Sequence, residues 1–233
     1  MKFALIDGLK VEARPKLRAI CPYCSADMVA KCGKVVIWHW SHRNKLDCDP
    51  WWENETEWHR KWKDQFPKDW QEVIHIDPIT GEKHIADVKT PHGLVIEFQN
   101  SPMSLIEMDS REKFYGNMIW IVNGWHDAGD FHIGLEGEIQ SDPIAYRIKW
   151  WSKSRLLHNW TNANSKVFLD LGDDVIWQLI FFDGTQNVGA VGPLFRASVI
   201  EDCLQGTTPF RLIFRSSSSS EDSQDVAPGK HVP

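Results

Sequence analysis

One short apolar strand carries two polar side chains at alternating positions, and it constrains the fold more than any other stretch of the chain. The segment "VIEFQNS" spans Val95–Ser101. Its alternation predicts a strand on which Glu97 and Gln99 point to the same face. Burying a carboxylate and a carboxamide is costly unless both have partners. The sequence therefore predicts a polar site on this face of an otherwise apolar strand.

A second strand supplies a partner for the first. The segment "KHIADVKT" contains Asp87, and the turn sequence "TPHG" lies between it and Glu97, which predicts a hairpin with the two carboxylates side by side. Adjacent carboxylates repel each other unless a cation lies between them or one takes up a proton. Hard oxygen ligands favour Mg²⁺ or Mn²⁺, which can activate water and stabilise charge on a phosphate. An exposed edge hairpin would show the same residues, and this alternative stays open.

Two predicted helices flank these strands. The segment "DPWWENETEWHRKWKDQFP" predicts a helix over 49–67, with Pro50 in its first turn, and "SLIEMDSREKFYGN" predicts another over 104–117. Each carries polar residues at i, i+4, i+8, which lie on one helix face. Either face could be simply solvated. The stripes are Glu55, His59 and Lys63 on the first helix, and Glu107, Arg111 and Tyr115 on the second.

Four of the five cysteines lie within 28 residues of one another. The N-terminus lacks the features of a secretion signal, so this clustering favours a metal site over disulfides. The motifs "CPYC" and "HWSH" place Cys21 and Cys24 before His39 and His42, and these four could bind a structural zinc ion. Ordinary buried cysteines and surface histidines are the alternative. Substitute zinc ligands are Cys32 and Cys48.

The pattern of strands and helices divides the chain into four parts. We expect an α/β fold with a zinc-binding β module at 1–50 and a core at 51–135 with the order helix, three strands, helix, strand. A mixed, β-rich extension follows at 136–215, beginning with a helix near 145–160 and continuing as hairpins. The serine-rich segment 216–233 predicts a disordered tail.

Charge and hydrophobicity limit the classes of function. Of the 233 residues, 42% are hydrophobic, and no apolar run is long enough for a membrane span. We expect a cytoplasmic protein without membrane contact. The net charge is -6, but residues 1–70 contain 13 Lys+Arg and 10 Asp+Glu, or +3, which leaves -9 for the remainder. A basic surface for nucleic acid is therefore expected toward the N-terminal half.

Taken in order, the segments "CPYC", "HWSH", "ETEWH", "HIADVKT" and "IEFQNSPMS" resemble the competence protein CoiA-like family over roughly residues 15–125. This family is placed among the PD-(D/E)XK, restriction-endonuclease-like nucleases. It is tied to the processing of DNA taken up in transformation, and similar proteins occur in mobile elements and phages. The resemblance implies a restriction-endonuclease-like core, Mg²⁺ or Mn²⁺ as cofactor, and single-stranded or branched DNA as substrate. Recombination proteins are the partners that such a role suggests.

The resemblance also implies roles for individual residues. Asp87 and Glu97 would be the metal ligands, Glu55 the supporting helix glutamate, and Gln99 would stand where the superfamily has Lys. Because Gln supplies a dipole in place of a charge, the alternative is a non-catalytic, zinc-containing DNA-binding accessory protein with a vestigial nuclease fold. The expected zinc part holds Cys21, Cys24, His39 and His42. The residues expected to contact substrate are Lys89, Arg111, Tyr115, His59 and Lys63.

Overall fold

The computed structural model describes residues 1–44, 48–51, 53–125, 131–141, 144–150, 159–160 and 162–207. In these residues two β-sheets and three α-helices form a strand-rich, mixed α/β fold, in agreement with the predicted class. The predicted disordered tail lies outside the described residues. Among the helices that are described, none has the length and apolar character needed to cross a bilayer.

The N-terminal sheet has five antiparallel strands in the order β2-β1-β3-β4-β5. It encloses a small core in which Met28 and Trp40 are almost fully buried. Trp40 donates its indole N–H to the Val11 carbonyl at 2.8 Å, so its one polar atom has a partner. The strands are β1 (Phe3–Ile6), β2 (Leu9–Glu12), β3 (Arg18–Ile20), β4 (Asp27–Lys31) and β5 (His39–His42).

The second sheet contains all the remaining described strands. Its first part has the predicted order of helix, three strands, helix and strand. These elements are α1 (Glu57–Lys63), β6 (Gln71–Ile76), β7 (Lys83–Lys89), β8 (Val95–Gln99), α2 (Leu105–Tyr115) and β9 (Met118–Asn123), with a 3₁₀ turn at Lys68–Trp70. The later elements are β10 (Phe131–Ser141), β11 (Ile144–Trp150), β12 (Lys166–Asp170), β13 (Val175–Asp183), β14 (Val188–Phe195) and α3 (Arg196–Gln205).

This sheet runs without interruption across the predicted core and extension. Its nine strands follow the order β10-β11-β14-β13-β12-β9-β8-β7-β6. Strand β9 pairs in parallel with both β8 and β12, so the extension continues the core sheet from the β9 edge. The predicted boundary at 135 and 136 falls inside β10.

Alternating side chains of the central strands fill two separate cores. On β8 and β9, Ile96, Phe98 and Ile121 belong to the core that includes Trp62 of α1 and Val199 of α3. The alternating residues Val95, Trp120 and Val122 belong to the other core, which also includes Met108 and Tyr115 of α2. Strands of a sheet that is covered on both faces are apolar at nearly every position. The segment "MIWIVN" of β9 follows this rule and is buried throughout.

Helix α1 begins later than the sequence predicts. Thr56 is its N-cap: the Thr56 hydroxyl accepts from the His59 N–H, and the His59 side chain accepts from the Thr56 N–H, which forms a capping box. The segment before it is therefore not helical, and Pro50 lies well outside the helix. Glu55 precedes the helix as well, which corrects its predicted place on a helical stripe.

Two elements of the extension differ from expectation. The segment near 145–160 was expected to be helical, but its first part, Ile144–Trp150, forms strand β11, with Ala145, Ile148 and Trp150 buried. Residues 151–158 of this prediction lie outside the described residues, and residues 159–160 are helical. Conversely, residues 196–200 were expected to belong to the hairpins, but Arg196–Gln205 forms helix α3, which buries Val199 and Cys203. The side chains buried on α3 are four residues apart, which is the spacing of one helix face.

Candidate metal centre and acidic cavity

Three thiols and one imidazole meet at the edge of the N-terminal sheet. The ligand atoms of Cys21, Cys24, His42 and Cys48 all lie within 4.8 Å of one another. Cys21 Sγ lies 3.7 Å from Cys48 Sγ, and Cys24 Sγ lies 3.3 Å from His42 Nε2. Among the described residues, this is the one group of three or more His, Cys, Asp and Glu side chains that comes together so closely.

The cluster fits a tetrahedral zinc ion. With Zn–S bonds of about 2.3 Å, tetrahedral geometry places two sulfur atoms ~3.8 Å apart, close to the observed separation of Cys21 and Cys48. Burial and the neighbouring Cys21 thiol raise the pKa of Cys48 well above its usual value, so the Cys48 thiolate is disfavoured unless a cation is nearby. A bound metal ion reverses this preference because its ligands must be deprotonated. The four side chains could therefore bind zinc.

The structure replaces one predicted zinc ligand. His39 lies outside the cluster, with its Nδ1 2.8 Å from the Ile37 carbonyl, and Cys48 takes the fourth position. His39 and His42 both lie on strand β5. Residues three apart on a strand point to opposite faces, so both imidazoles cannot reach one ion. Of the substitutes that the sequence offered, Cys48 joins the cluster and Cys32 does not.

An acidic cavity lies between the two sheets and helix α1. It measures about 530 Å³ with its open mouth. Six carboxylates and three basic side chains border it, together with apolar groups and the N-terminal residue. The lining residues are Met1, Asp49, Trp51, Glu53, Glu55, His59, Lys63, Glu72, Ile85, Asp87, Glu97, Phe98 and Arg111.

The predicted carboxylate pair lines this cavity. Strands β7 and β8 are antiparallel, with Val88 opposite Ile96, which sets Asp87 across from Glu97. The Asp87 N–H donates to Glu97 Oε1 at 3.1 Å, and the Phe98 N–H donates to Asp87 Oδ2 at 3.0 Å. Each carboxylate thus accepts a hydrogen bond from a main-chain N–H of the other strand. The strands hold the two carboxylates in a fixed relation.

Lys63 is a cation in contact with Asp87, one member of the predicted carboxylate pair. Its Nζ lies 3.0 Å from Asp87 Oδ1, 3.2 Å from Glu55 Oε2 and 3.3 Å from Glu72 Oε1. The side chain is 5% exposed. Although burial opposes the charged form, the three carboxylates raise the pKa of Lys63 well above its usual value. Lys63 is therefore an internal ammonium ion surrounded by acid groups.

Arg111 neutralises the other member of the pair. Arg111 NH1 donates to Glu97 Oε2 at 3.0 Å, and its NH2 contacts the Trp51 carbonyl and Glu107 Oε1 at 2.6 and 2.5 Å. Burial and the nearby Asp87 charge nevertheless raise the pKa of Glu97 from 4.5 to about 8. Glu97 therefore binds a proton near neutral pH far more readily than an exposed glutamate.

His59 points from α1 toward the main chain of β8. The Thr56 N–H faces its Nδ1, so this nitrogen accepts and Nε2 carries the proton. Nε2 lies 3.1 Å from the Phe98 carbonyl and 3.2 Å from Glu53 Oε2. Although burial acts against it, the bond to His59 lowers the pKa of Glu53. An imidazole, a carboxylate and a carbonyl oxygen thus meet beside the Asp87–Glu97 pair.

Three predicted site residues lie away from the cavity lining. Gln99 is buried but donates its amide to the Ser101 carbonyl at 2.8 Å, within its own turn. The Lys89 ammonium reaches across to His75 Nδ1 on strand β6 at 2.9 Å. Tyr115 packs edge-on against His75 at 5.5 Å between ring centroids. The structure therefore gathers Glu55, His59, Lys63, Asp87, Glu97 and Arg111, and it leaves out Gln99, Lys89 and Tyr115.

Sequence reasoning missed three acidic residues of the cavity: Asp49, Glu53 and Glu72. Glu72 accepts from the main-chain N–H groups of Lys2 and Phe3 at 2.7 and 2.9 Å, which ties β1 to the cavity wall. Such contacts between distant parts of the chain leave no local signature. Glu53 alone carried a hint, since it lies six residues before His59 in an acidic run.

Comparison with known proteins bears on the N-terminal part of the chain. No curated protein and no solved structure matches the chain. Residues 9–50 match the family model described as "Competence protein CoiA, N-terminal domain". The matched segment contains all four residues of the thiol cluster, and the match supports the resemblance to the CoiA-like family there.

Proposed function

We propose that this protein is a divalent-metal-dependent nuclease that hydrolyses phosphodiester bonds in DNA. The observation that carries the proposal is the Asp87–Glu97 pair, held face to face by reciprocal bonds to the main chain inside a cavity. Such an arrangement holds two negative charges close together, and their repulsion destabilises the fold unless a cation binds between them. The order α1, β6–β8, α2, β9 suits the PD-(D/E)XK core that the resemblance implies.

Asp87, Glu97 and the Phe98 carbonyl would hold Mg²⁺ or Mn²⁺, and Glu55 would support the ion or its waters. All are oxygen donors, as these ions prefer. Each carboxylate oxygen of the pair already accepts one protein hydrogen bond, and each retains a second lone pair. When bound, the ion would polarise the phosphate and make water a better nucleophile.

Lys63 is the residue that would supply the positive charge for which the superfamily uses a lysine on the strand. Its ammonium contacts Asp87 directly, whereas Gln99 is turned toward Ser101. Lys63 would stabilise charge that develops on the phosphate in the transition state. Gln99 then has a local role in closing the turn after β8.

Arg111 offers a donor for substrate. Its Nε–H is buried and has no hydrogen-bond partner among the described residues, and the side chain lines the cavity. Unpaired buried donors are rare in folded proteins. A phosphate oxygen or a bound water would satisfy this one, since a guanidinium matches phosphate geometry.

A second function is favoured by the same contacts. Lys63 and Arg111 already neutralise Asp87 and Glu97, so the pair is accommodated without an added ion. On this alternative the protein is a zinc-containing DNA-binding accessory protein whose acid site is vestigial. Single-stranded or branched DNA is the proposed nucleic acid in both cases, in competence-like, mobile-element or phage recombination, with recombination proteins as partners.

The decisive experiment measures cleavage and binding together. Wild-type protein is incubated with single-stranded, duplex and branched DNA in Mg²⁺, Mn²⁺ or EDTA, and binding is followed by fluorescence anisotropy. We expect cleavage that needs the metal ion and that disappears in Asp87→Asn and Glu97→Gln, while binding persists. Asp109→Asn is the matched control, because Asp109 pairs with Lys113 on the exposed face of α2. Binding without cleavage would favour the accessory protein, and neither activity would contradict both proposals.

A further inference from the structure

Strand β7, which carries Asp87, is attached to the thiol cluster at three consecutive residues. These are Lys83, His84 and Ile85, which lie two to four positions before Asp87. Their partners are Tyr23, inside the Cys21–Cys24 motif, and Asp49, directly after Cys48. We infer that the metal ion of the thiol cluster positions β7 and thereby the acid pair, with Asp49 as the positioning residue. The consequence for catalysis rests on the proposed nuclease function, whereas the coupling itself does not.

Asp49 makes the central contact. Its Oδ2 accepts from the Ile85 N–H at 2.7 Å. Its Oδ1 accepts from the Trp51 N–H at 3.0 Å and lies 2.8 Å from His84 Nδ1. The side chain is 4% exposed, and these hydrogen bonds go to β7 and to its own segment. A buried carboxylate with several donors fixes the groups around it, because losing any one is costly.

Tyr23 provides a second, independent attachment. Its hydroxyl donates to the Lys83 carbonyl at 2.7 Å, and the Lys83 ammonium donates to the Tyr23 carbonyl at 2.7 Å. The same ammonium lies 4.4 Å from the centre of the Tyr23 ring. Residue 83 is the first of β7, so the cluster holds the strand at its start.

A third route leads from the cluster to Glu97. Trp51 stacks on His84 with 3.3 Å between ring centroids. The Trp51 carbonyl accepts from Arg111, which in turn donates to Glu97. Residues 48–51 are therefore connected to Glu97 through Arg111 and to the strand of Asp87 through Ile85.

A bound metal ion would restrict the motion of the residues that make these contacts with β7. Cys48 and Asp49 belong to the segment between β5 and α1, whereas the other cluster residues belong to the N-terminal sheet or its CxxC turn. Cys48 Sγ lies 3.7 Å from Cys21 Sγ and within 4.8 Å of the other two ligand atoms. Metal–ligand bonds of about 2.0–2.3 Å would fix Cys48 to all three other ligands. Asp49 and Tyr23, each adjacent to a ligand in sequence, would then be fixed as well.

Hydrogen exchange measured by mass spectrometry tests the coupling without any cleavage assay. Zinc-loaded and chelator-treated wild-type protein are compared with zinc-loaded Asp49→Ala and Tyr23→Phe. Zinc content and the visible absorption of the Co²⁺-substituted protein establish that both variants keep the thiolate site. The matched control is Glu82→Ala, which removes the exposed carboxylate on the opposite side of the same His84 ring.

We expect peptides covering residues 83–99 to exchange about tenfold faster or more after zinc removal and in Asp49→Ala, since a bond to a charged group is lost. Tyr23→Phe should accelerate them less, and peptides covering β12 and α3 should keep their wild-type rates. Unchanged exchange in 83–99 would overturn the inference, as would equal acceleration throughout the chain, which indicates global destabilisation. If the coupling is found but wild-type protein cleaves no DNA, only the nuclease proposal fails.

Discussion

The Lys63 ammonium lies 3.0 Å from Asp87 Oδ1, and this contact joins helix α1 to the strand that carries the acid pair. An ammonium ion at this depth is stable only because three carboxylates surround it. The same contact admits two interpretations: a catalytic cation beside a metal ligand, or an internal counter-ion that makes a metal unnecessary. Substitution of Lys63 tests whether its charge compensates these carboxylates.

Replacing Lys63 by Met should destabilise the fold and strengthen binding of divalent ions. The change leaves Glu55, Glu72 and Asp87 buried without their ammonium partner, which costs about 3 kcal/mol or more. Urea unfolding in EDTA measures the loss, and Lys61→Met on the exposed face of α1 is the control. Adding Mn²⁺ should restore stability to Lys63→Met more than to wild type. A variant as stable as Lys61→Met would show that Lys63 does not compensate these charges.

The part of the site that lies on the β7–β8 hairpin could be predicted from sequence because it depends on local rules. The turn sequence sets the pairing, and the alternation of a strand sets the faces. Asp87 and Glu97 are therefore found where the sequence places them. Residues brought in from other parts of the chain, such as Glu72 and Asp49, have no periodicity relative to this hairpin.

The zinc prediction failed at the one point where it depended on the type of secondary structure. The spacing of His39 and His42 would let both bind one ion on a helix, where residues three apart share a face. On strand β5 they diverge, and Cys48 completes the cluster. Helix α3 was also assigned to the wrong type of secondary structure. Only Val199 and Cys203 mark its buried face, and the helix directly follows a series of strands.

Stability should fall as pH rises from about 5 to 8 through the titration of Glu97. Burial and Asp87 raise the pKa of Glu97 from 4.5 to about 8, so the folded protein binds a proton there that the unfolded chain releases. The stabilisation is fully present below pH 4.5, declines up to about pH 8 and is absent above it. Glu97→Gln should lack this component, which urea unfolding across the pH range in EDTA measures.

The contribution of Glu97 is isolated by the difference in unfolding free energy between wild type and Glu97→Gln at each pH. That difference should move in favour of the variant as pH rises. Glu201→Gln, at an exposed position of helix α3, serves as the control and should follow wild type at all pH values. A difference that stays constant from pH 5 to pH 8 would contradict the raised pKa.

Asp170 should be a major determinant of stability away from the cavity. Its Oδ2 accepts from the indole N–H groups of Trp58 and Trp62 at 2.8 Å each, and Arg196 NH2 donates to its Oδ1 at 2.6 Å. One carboxylate thus joins α1, β12 and α3. Asp170→Asn should cost about 2 kcal/mol or more, because in either orientation the amide NH2 replaces a carboxylate oxygen that accepts hydrogen bonds. Thermal unfolding measures the loss against Asp109→Asn, and equal melting temperatures would refute the role.

The purified protein should hold about one zinc ion per chain, and its ligand set should follow the structure. His42→Ala and Cys48→Ser each remove a member of the cluster, so both should lower zinc content and stability, since binding of a structural metal contributes to folding. His39→Ala and Cys32→Ser are matched controls of the same residue types, and both should retain the metal. Metal analysis after purification without chelators gives the stoichiometry, and an excess of EDTA or a tighter chelator should lower the melting temperature of wild type more than that of Cys48→Ser. Zinc lost from His39→Ala and kept in Cys48→Ser would restore the ligand set expected from the sequence and would remove the basis for coupling through Asp49.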